Sequence, residues 1–238
     1  EKIWDSYWLE DSEHLFLESF KGKTDLLPNQ FYLHKVGTSG DRDVLLYKEN
    51  DESFFINNII KTADGKYLLL LALNSFQSET WLLDLADIKS GFKLFSSRQK
   101  DHSYLPYLYR NEFYVITNKD GAYNFKIMKT AFDQTDEKYW QEYIPHREDT
   151  GLTVQIMNNS PLKFIDDYLI IEERKNGKIN IRIIDLLNDK SSYIDFPDPF
   201  YYIYDITELE PSSKKIKIGY SSYVTPYTEY EYDLVKKE

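Results

Sequence analysis

The 238-residue chain carries a formal charge of −11, contains no cysteine and is rich in aromatic residues, with 21 Tyr, 14 Phe and 4 Trp. The negative charge argues against a nucleic-acid or anionic-membrane partner, because phosphate groups would be repelled. Without cysteine the chain can form neither a disulfide framework nor a thiolate metal site. This fits a reducing cytoplasm, and a periplasmic location stays open. The aromatic bias favours strands over helices.

The sequence predicts no transmembrane or targeting segment. No apolar run approaches the ~18 residues that are needed to span a bilayer. The chain begins with Glu-Lys-Ile-Trp, which is neither a signal peptide nor an initiator methionine. We therefore expect an excised piece of a longer protein, with a length that suits one large domain or two small ones.

Strands are predicted from five copies of one pattern, in which a lead-in strand, a polar turn and further short strands follow one another. The first three copies place strands at residues 3–10, 14–19, 30–36 and 44–48; at 54–61, 66–73, 79–85 and 92–96; and at 104–109, 113–117, 123–130 and 140–145. The fourth places them at 152–157, 168–172, 179–186 and 192–196, and the fifth has only three, at 200–209, 215–220 and 228–234.

The spacing of the copies indicates the fold. Equivalent turns at Asp11, Asp64, Asn111, Asp167 and Ser213 lie 46 to 56 residues apart. A period near 50 with four short strands per unit is typical of a β-propeller blade. We predict an all-β partial β-propeller of about five four-stranded antiparallel blades. Residues 1–238 would form a single propeller fragment, with blades at about 1–52, 53–102, 103–148, 149–198 and 199–238.

Local signals refine this prediction at three places. Asn176-Gly177 can adopt positive φ at both central positions of a type I′ turn, so the flanking runs should form a hairpin with one buried face. In the loop 118–124, Gly121 should supply a left-handed position. The segment 132–142 favours a short helix capped by Asp133 and a loop equally.

Two short segments approach catalytic signatures without meeting their requirements. Gly219-Tyr-Ser-Ser-Tyr223 follows an apolar strand but lacks the second glycine and the helix of a nucleophile elbow. Asp149-Thr150-Gly151 matches the aspartic-protease tripeptide, yet it occurs once where two carboxylates must share a proton. We interpret the first as a strand end and the second as a turn between blades.

Charged clusters define no site either. The histidines are widely spaced, at His14, His34, His102 and His146, whereas zinc needs three or four converging ligands. The carboxylate pairs are Asp41/Asp43, Asp166-Asp167 and Glu172-Glu173. Neighbours in a strand point to opposite faces, so Glu172 and Glu173 are interpreted as solvated or turn-capping. We predict no catalytic, cofactor-binding or metal-binding residue, and no cofactor.

Five segments carry a family resemblance. They are His34-Lys-Val-Gly-Thr38 with Asp43-Val-Leu-Leu-Tyr47; Tyr114-Val-Ile-Thr-Asn-Lys-Asp-Gly-Ala-Tyr-Asn-Phe125; Trp140 with Ile144-Pro-His-Arg147; Glu173-Arg-Lys-Asn-Gly177; and Tyr220-Ser-Ser-Tyr-Val-Thr-Pro226. Together, and in this order, they resemble the propeller part of the oligopeptidase B (protease II) branch of the prolyl oligopeptidase family of serine peptidases, family S9.

The resemblance implies a seven-bladed propeller that caps an α/β-hydrolase domain and gates the access of short, basic peptides cut after Arg or Lys. About five blades are expected here, and the hydrolase domain and its Ser-Asp-His triad would be absent. The parent would be a serine endopeptidase, and this chain alone would be inactive. Its expected partners are the hydrolase domain and short peptides, with self-association through exposed blade edges. The alternatives are a stand-alone interaction scaffold and a five-bladed glycosidase-type propeller with central carboxylates.

Overall fold

A computed structural model describes residues 3–20, 27–152, 161–210 and 212–238. Within these ranges the chain forms twenty strands and four short 3-10 helices. The strands make five antiparallel sheets, which confirms the predicted all-β propeller fold class. The chain divides into two compact units, residues 1–121 with 127–145 and residues 122–126 with 146–238.

Unit 1 contains three four-stranded sheets, each built from strands that are consecutive in the sequence. Sheet 1 consists of β1 (Ile3–Trp8), β2 (His14–Ser19), β3 (Gln30–Lys35) and β4 (Val44–Lys48). Sheet 2 consists of β5 (Phe55–Lys61), β6 (Tyr67–Leu73), β7 (Ser78–Asp84) and β8 (Lys93–Ser96). Sheet 3 consists of β9 (Tyr104–Tyr109), β10 (Glu112–Thr117), β11 (Lys126–Ala131) and β12 (Gln141–Ile144), and β11 begins in the stretch assigned to unit 2.

Unit 2 contains the other two sheets. Sheet 4 consists of β13 (Thr150–Leu152), β14 (Leu162–Ile165), β15 (Tyr168–Lys175), β16 (Lys178–Asp185) and β17 (Lys190–Tyr193). Both β13 and β14 pair with β15, so two short strands stand where one lead-in strand was predicted. The predicted strand 152–157 lies, after Leu152, outside the described residues. Sheet 5 has the three strands predicted for it, β18 (Tyr201–Glu208), β19 (Lys215–Ser222) and β20 (Thr228–Asp233).

The 3-10 helices lie in the connections, at Gly40–Arg42, Ile88–Ser90, Lys119–Gly121 and Glu137–Tyr139. The last of these replaces the helix considered for residues 132–142. Its cap is Asp136, whose side chain accepts a hydrogen bond from the amide of Lys138, and not Asp133 as predicted. No helix in the described part of the chain is long and apolar enough to cross a membrane.

The hairpin β15–β16 has the turn that its sequence predicts. Lys175 pairs with Lys178 across Asn176 and Gly177, whose φ angles are 52° and 76°. Positive φ at both central positions is the requirement of a type I′ turn, and Asn followed by Gly meets it with the least strain. On β16, Ile179, Ile181 and Ile183 are buried, as the alternation predicted.

Strand β6 shows how the sheets of unit 1 stack. Leu70 packs in a cluster with Phe31 of sheet 1, and its neighbour Leu69 packs in another with Phe113 of sheet 3. Successive side chains of a strand point to opposite faces, so a continuous apolar run such as β6 is suited to a sheet covered on both sides. In unit 2, Ile181 and Ile183 of sheet 4 pack likewise against Ile216 and Ile218 of sheet 5.

The predicted strand 123–130 begins too early. Asp120 and Gly121 have φ angles of 57° and 76°, which confirms the left-handed position predicted for Gly121, and Phe125 has a φ of 63°. The extended backbone therefore starts only at Lys126. The five sheets lie within the five residue ranges assigned from the sequence. The assignment of one single domain stays a prediction.

Candidate functional site

Three residues of the family resemblance, Asn124, Arg147 and Glu173, are linked by hydrogen bonds in unit 2. The side-chain amide of Asn124 donates to the backbone carbonyls of Arg147 and Glu148, at 3.0 and 2.9 Å. The amide of Leu152 donates to the carbonyl of Asn124 at 3.1 Å. Asn124 thus holds the segment that leads into sheet 4, because its side chain satisfies two backbone carbonyls there.

Arg147 continues the network into the sheet. Its guanidinium donates to Glu173 and, at 3.3 Å, to the hydroxyl of Tyr193. Tyr193 donates in turn to the other oxygen of Glu173 at 2.8 Å, and Arg182 lies 3.5 Å from the carboxylate. We call Arg147, Glu173, Arg182 and Tyr193 the Arg147 network. Burial opposes the charge on Arg147, but the hydrogen bonds to Glu173 and Tyr193 outweigh it and raise the pKa of Arg147.

The predicted exposure of Glu173 is wrong. Its side chain is 1% exposed, because two guanidinium groups and a hydroxyl replace the water that a carboxylate would otherwise require. Glu172 is half-buried, and burial raises its pKa although Lys163 acts in the opposite direction. The two neighbouring carboxylates therefore have separate surroundings and do not form an acid/base pair.

A second charged network lies in unit 1. The Nη2 atom of Arg98 lies 2.7 Å from Glu49 and 2.6 Å from Glu79, and the guanidinium stacks 3.8 Å from the centre of the Phe54 ring. Both carboxylates are buried. Tyr47 also donates to Glu49 at 2.8 Å. Burial favours the protonated form of Glu49, but the hydrogen bonds from Arg98 and its other donors outweigh this and lower its pKa.

Charged residues at the exits of the sheets recur at a regular spacing. One charged residue follows the final strand of each of the first four sheets. These residues are spaced 49, 49 and 51 positions apart along the chain: Glu49, Arg98, Arg147 and Asp198. Asp198 accepts hydrogen bonds from Tyr220 at 2.7 Å and Thr225 at 2.8 Å in sheet 5 and the turn after it. Sequence reasoning missed Glu49 and Arg98, although this period was a signal that could have revealed them, and it missed Glu79, which lies within β7 and outside the period.

Three of the four histidines, His14, His34 and His102, lie close to a carboxylate. His14 lies 2.7 Å from Asp11 and His34 lies 2.6 Å from Asp43, so the His34–Asp43 part of the resemblance ties β3 to the start of β4. His146 stacks edge-on against Tyr123, with ring centres 4.6 Å apart. No group of three His, Cys, Asp or Glu residues in the described ranges is arranged to hold a metal ion.

His102 has the surroundings that most resemble a catalytic arrangement. Its Nε2 lies 2.8 Å from the hydroxyl of Thr117, and its Nδ1 lies 3.2 Å from Glu137. Hydroxyl, imidazole and carboxylate follow the order of a hydrolase triad. Thr117 is completely buried, however, so no substrate can reach its oxygen. Lys119 also pairs with Glu137, and burial lowers the pKa of His102. The cluster attaches the 3-10 helix Glu137–Tyr139 to sheet 3.

The two short signatures lie in ordinary secondary structure. Gly219 through Ser222 belong to the extended strand β19, and Tyr220 is fully buried. Asp149 lies in a turn, as predicted, whereas Thr150 and Gly151 begin β13 and so belong to a strand. Asp149 pairs with Lys175 at 2.7 Å. These contacts attach one chain segment to another, and none of them activates a nucleophile.

Comparisons with known proteins assign the chain. Residues 2–238 match the family model described as "Prolyl oligopeptidase, N-terminal beta-propeller domain". The chain is 27% identical to the dipeptidyl aminopeptidase BI of Pseudoxanthomonas mexicana, over 94% of this chain and 30% of that protein. It is 23% identical to the Protease 2 of Moraxella lacunata, over 87% of this chain and 28% of that protein.

Among solved structures, oligopeptidase B from Trypanosoma brucei with covalently bound antipain, in its closed form, superimposes with a TM-score of 0.84. The identity is 21%, over 98% of this chain and 33% of that one, so this likeness shows the fold. Oligopeptidase B from Leishmania major gives the same values. The chain spans about a third of the length of the relatives it matches. It belongs to the N-terminal β-propeller domain family of the prolyl oligopeptidases.

Proposed function

We propose that the chain is the non-catalytic cap of a serine oligopeptidase, which admits short peptides to a separate α/β-hydrolase domain and excludes folded proteins. The observation that carries the proposal is the family match over nearly the whole chain, combined with coverage of only about a third of relatives that are named as peptidases. The hydrolase domain would be the chain's partner.

The packing of the sheets supports a rigid cap. A filter by size must resist the entry of a folded protein, so its sheets must not separate easily. In unit 1, Arg98 follows sheet 2 and donates charge-assisted hydrogen bonds to Glu79 in that sheet and to Glu49, which follows sheet 1. These bonds join the two sheets. In unit 2, Asp198 and the hydroxyl of Tyr201, which donates to the carbonyl of Ile179 at 2.7 Å, join sheets 4 and 5.

Charge supports a preference for basic peptides. The formal charge of −11 creates a negative potential that would raise the local concentration of cationic peptides and repel acidic ones. Such an effect is screened by salt, with a Debye length of about 10 Å at 0.1 M. We therefore expect the preference for Arg-containing substrates to decline as ionic strength rises.

The test compares substrates of one cleavable sequence and different size. The gene should encode, beyond Glu238, a hydrolase domain with a Gly-x-Ser-x-Gly segment. The protein that it encodes should cleave a short Arg-containing peptide amide efficiently and the same sequence within a folded protein at least about a hundred times more slowly. Arg147→Met should raise the relative cleavage of the large substrate, whereas Lys217→Met, which removes a surface pair with Glu229, should not.

Equal cleavage of the short and the folded substrate would overturn the gating role. A stop codon directly after Glu238 would contradict the cap itself and favour an interaction scaffold. Cleavage of aryl glycosides by the 238-residue chain, lost on mutation of a carboxylate, would favour the glycosidase alternative.

A further inference from the structure

Three titratable side chains meet where β1 joins β2 at the edge of sheet 1. The hydroxyl oxygen of Tyr7 lies 3.0 Å from Oε1 of Glu18 and 3.2 Å from Oδ2 of Asp5. A β-bulge brings the two carboxyl groups together: the register shifts between Ile3 and Asp5, so Asp5 stands directly opposite Glu18. Like charges directly opposite each other on paired strands repel. The pair is therefore favourable only if one of the two charges is removed or offset.

The surroundings of Glu18 do not offset its charge. Its side chain is 3% exposed, and Phe31 of β3, directly opposite, does not titrate. Among the described residues, the groups that act on Glu18 are Asp5 and Tyr7, and neither is a cation. On the strands packed around Glu18, the titratable groups on the same side have other partners: Lys35 with Glu13, Tyr47 with Glu49, and Lys61 with Glu10.

One additional proton satisfies the whole contact. A phenol has a single proton, so with both carboxyl groups ionised Tyr7 donates to one of them and turns a lone pair towards the other. With Glu18 protonated, Glu18 donates to Tyr7, Tyr7 donates to Asp5, and no buried charge remains. The proton belongs on Glu18 because Glu18 is buried and Asp5 is exposed.

The pKa shifts agree with this assignment. Burial, with a further contribution from Asp5, raises the pKa of Glu18 to about 7, although the hydrogen bond of Tyr7 acts in the opposite direction. Burial also raises the pKa of Tyr7, which therefore keeps its proton when Glu18 titrates. Glu18 is thus the group of this contact that changes its charge near neutral pH.

Strand β1 has few other attachments. Among the described strands it pairs with β2 alone, and most of its side chains are exposed. Tyr7 packs against the core shared by sheets 1 and 2, and Trp4 contacts the ring of Phe20. Segments with few buried apolar contacts open locally at a lower cost than the whole fold. A change of charge at Glu18 can therefore act on β1 without unfolding the rest of sheet 1.

We propose that Asp5, Tyr7 and Glu18 form a proton-controlled latch, which holds β1 on β2 while Glu18 is protonated and releases β1 when the proton is lost. Release hydrates the carboxylate of Glu18 and separates it from Asp5. The free edge of sheet 1 then passes from β1 to β2. The latch does not depend on the proposed cap.

The direction of the pH dependence follows from proton binding. The closed strand binds the proton of Glu18 with a pKa of about 7, and the released strand binds it with the ordinary value of 4.5. The released fraction must then rise with pH between these values and level off above pH 7. These values correspond to a rise of about 40-fold from pH 5 to pH 7 and of less than about twofold from pH 8 to pH 9.

Hydrogen exchange of the 238-residue chain tests the latch. Mass spectrometry follows a peptide that covers β1, and each rate is divided by the intrinsic rate at that pH, because exchange is itself catalysed by base. We expect the protection of β1 to fall by about 40-fold from pH 5 to pH 7 and then to level off. A peptide that covers β6, at the centre of sheet 2, should be at least about tenfold better protected than β1 at every pH.

Matched variants identify the titrating group. Glu18→Gln keeps the hydrogen bonds without the charge, so the protection of β1 should change less than about twofold between pH 5 and pH 8. Tyr7→Phe keeps the ring but breaks the link to Asp5, and it should lower the protection of β1 at pH 5. Asp41→Asn removes an exposed carboxylate from the connection between β3 and β4 and should leave the native profile unchanged. Thermal melting checks that each variant is folded.

Constant protection of β1 between pH 5 and pH 7 in the native chain would overturn the latch, and this measurement requires no substitution. Equal protection of β1 and β6 at every pH would show that β1 opens only with the whole fold, and it would overturn the latch as well. A native pH profile in Glu18→Gln would assign the proton to another group, with the same consequence. Because neither a peptide nor hydrolysis enters the measurement, these outcomes are independent of the proposed cap.

Discussion

Buried carboxylates in this chain are stabilised in two different ways. Glu173 lies against the guanidinium groups of Arg147 and Arg182 and the hydroxyl of Tyr193, whereas Glu18 accepts a hydrogen bond from the neutral hydroxyl of Tyr7 at 3.0 Å. Burial raises the pKa of Glu18 to about 7, with a further contribution from the nearby charge of Asp5. Cationic partners offset the cost of burying a carboxylate, whereas burial beside a neutral partner favours the protonated form.

Replacing Glu173 tests the first case. Glu173→Leu removes the anion between two partly buried guanidinium groups, and we expect the free energy of unfolding to fall by about 2–4 kcal/mol. Urea denaturation measures it. Glu229→Gln, which breaks an exposed pair with Lys217 at 3.1 Å, should lower it far less, because water and salt screen a surface pair. A loss for Glu173→Leu no larger than for Glu229→Gln would show that the Arg147 network does not stabilise the fold.

The raised pKa of Glu18 makes a prediction about pH. Its pKa is about 7 in the folded chain against an ordinary value of 4.5, so the folded state binds the proton more tightly between these values. Stability must then fall as pH rises from about 4.5 to 7, and the loss is complete above pH 7. Glu18→Gln should be about 2 kcal/mol more stable than the native chain at pH 8 and nearly equal at pH 4.5. Denaturation at both pH values measures the difference, and a variant that is less stable at pH 8 would contradict the prediction.

Strand β6 shows what determines the architecture at the scale of an element. A strand that is apolar at every position suits a sheet covered on both faces, and both Leu69 and Leu70 are buried in separate clusters. By contrast, β1 lies at the edge of sheet 1, and its side chains are largely exposed. The apolar pattern of a strand therefore indicates in part whether its side chains are covered on one face of the sheet or on both.

Truncation on both faces of β6 tests this arrangement. Leu69→Ala and Leu70→Ala should each reduce the free energy of unfolding by about 2–4 kcal/mol, because each leaves a cavity between two sheets. Leu94→Ala on β8, where the side chain is 40% exposed, should cost less than about 1 kcal/mol. A large effect for only one of the two β6 variants would mean that one face of sheet 2 is not packed in solution.

Connections were predicted less well than strands, and the reason is physical. The Asn176-Gly177 turn depends on two adjacent residues, so its sequence is sufficient to identify it. The segment 119–125 depends on a 3-10 helix and on a positive φ at Phe125, an aromatic residue that gives no local signal for that conformation. The burial of Glu173 depends on Arg147, 26 residues away, which no local pattern could indicate.

At the scale of the whole molecule, composition and repetition are the informative features. The aromatic bias and the strand period were sufficient to predict the fold class, and the family match confirms it. The single-domain assignment is untested, and the chain forms two compact units. Strand β1 pairs with β2 alone among the described strands, and it exposes Ile3 and Trp4. An exposed apolar edge of this kind favours association between copies.

Self-association is therefore expected of the 238-residue chain. Its weight-average mass in sedimentation equilibrium should increase with concentration over about 5–200 µM. Ile3→Lys places a charge on the β1 edge and should reduce this increase, as lysine does on natural edge strands. Glu52→Gln, which changes the charge by the same amount at an exposed position outside the strands, serves as the control. A mass independent of concentration in the native chain would contradict the expectation.

The sequence by itself determined the all-β class, the five-copy period, the hairpin turns and the family, because these depend on the alternation of apolar residues and on short contiguous motifs. It also indicated which residues mark the family. Only the tertiary structure decided what those residues do: Asn124, Arg147, Glu173 and Tyr220 hold segments together, and Arg98 joins two sheet exits. Ion pairs and clefts form between residues that are distant along the chain, and their strength depends on the burial that packing alone creates.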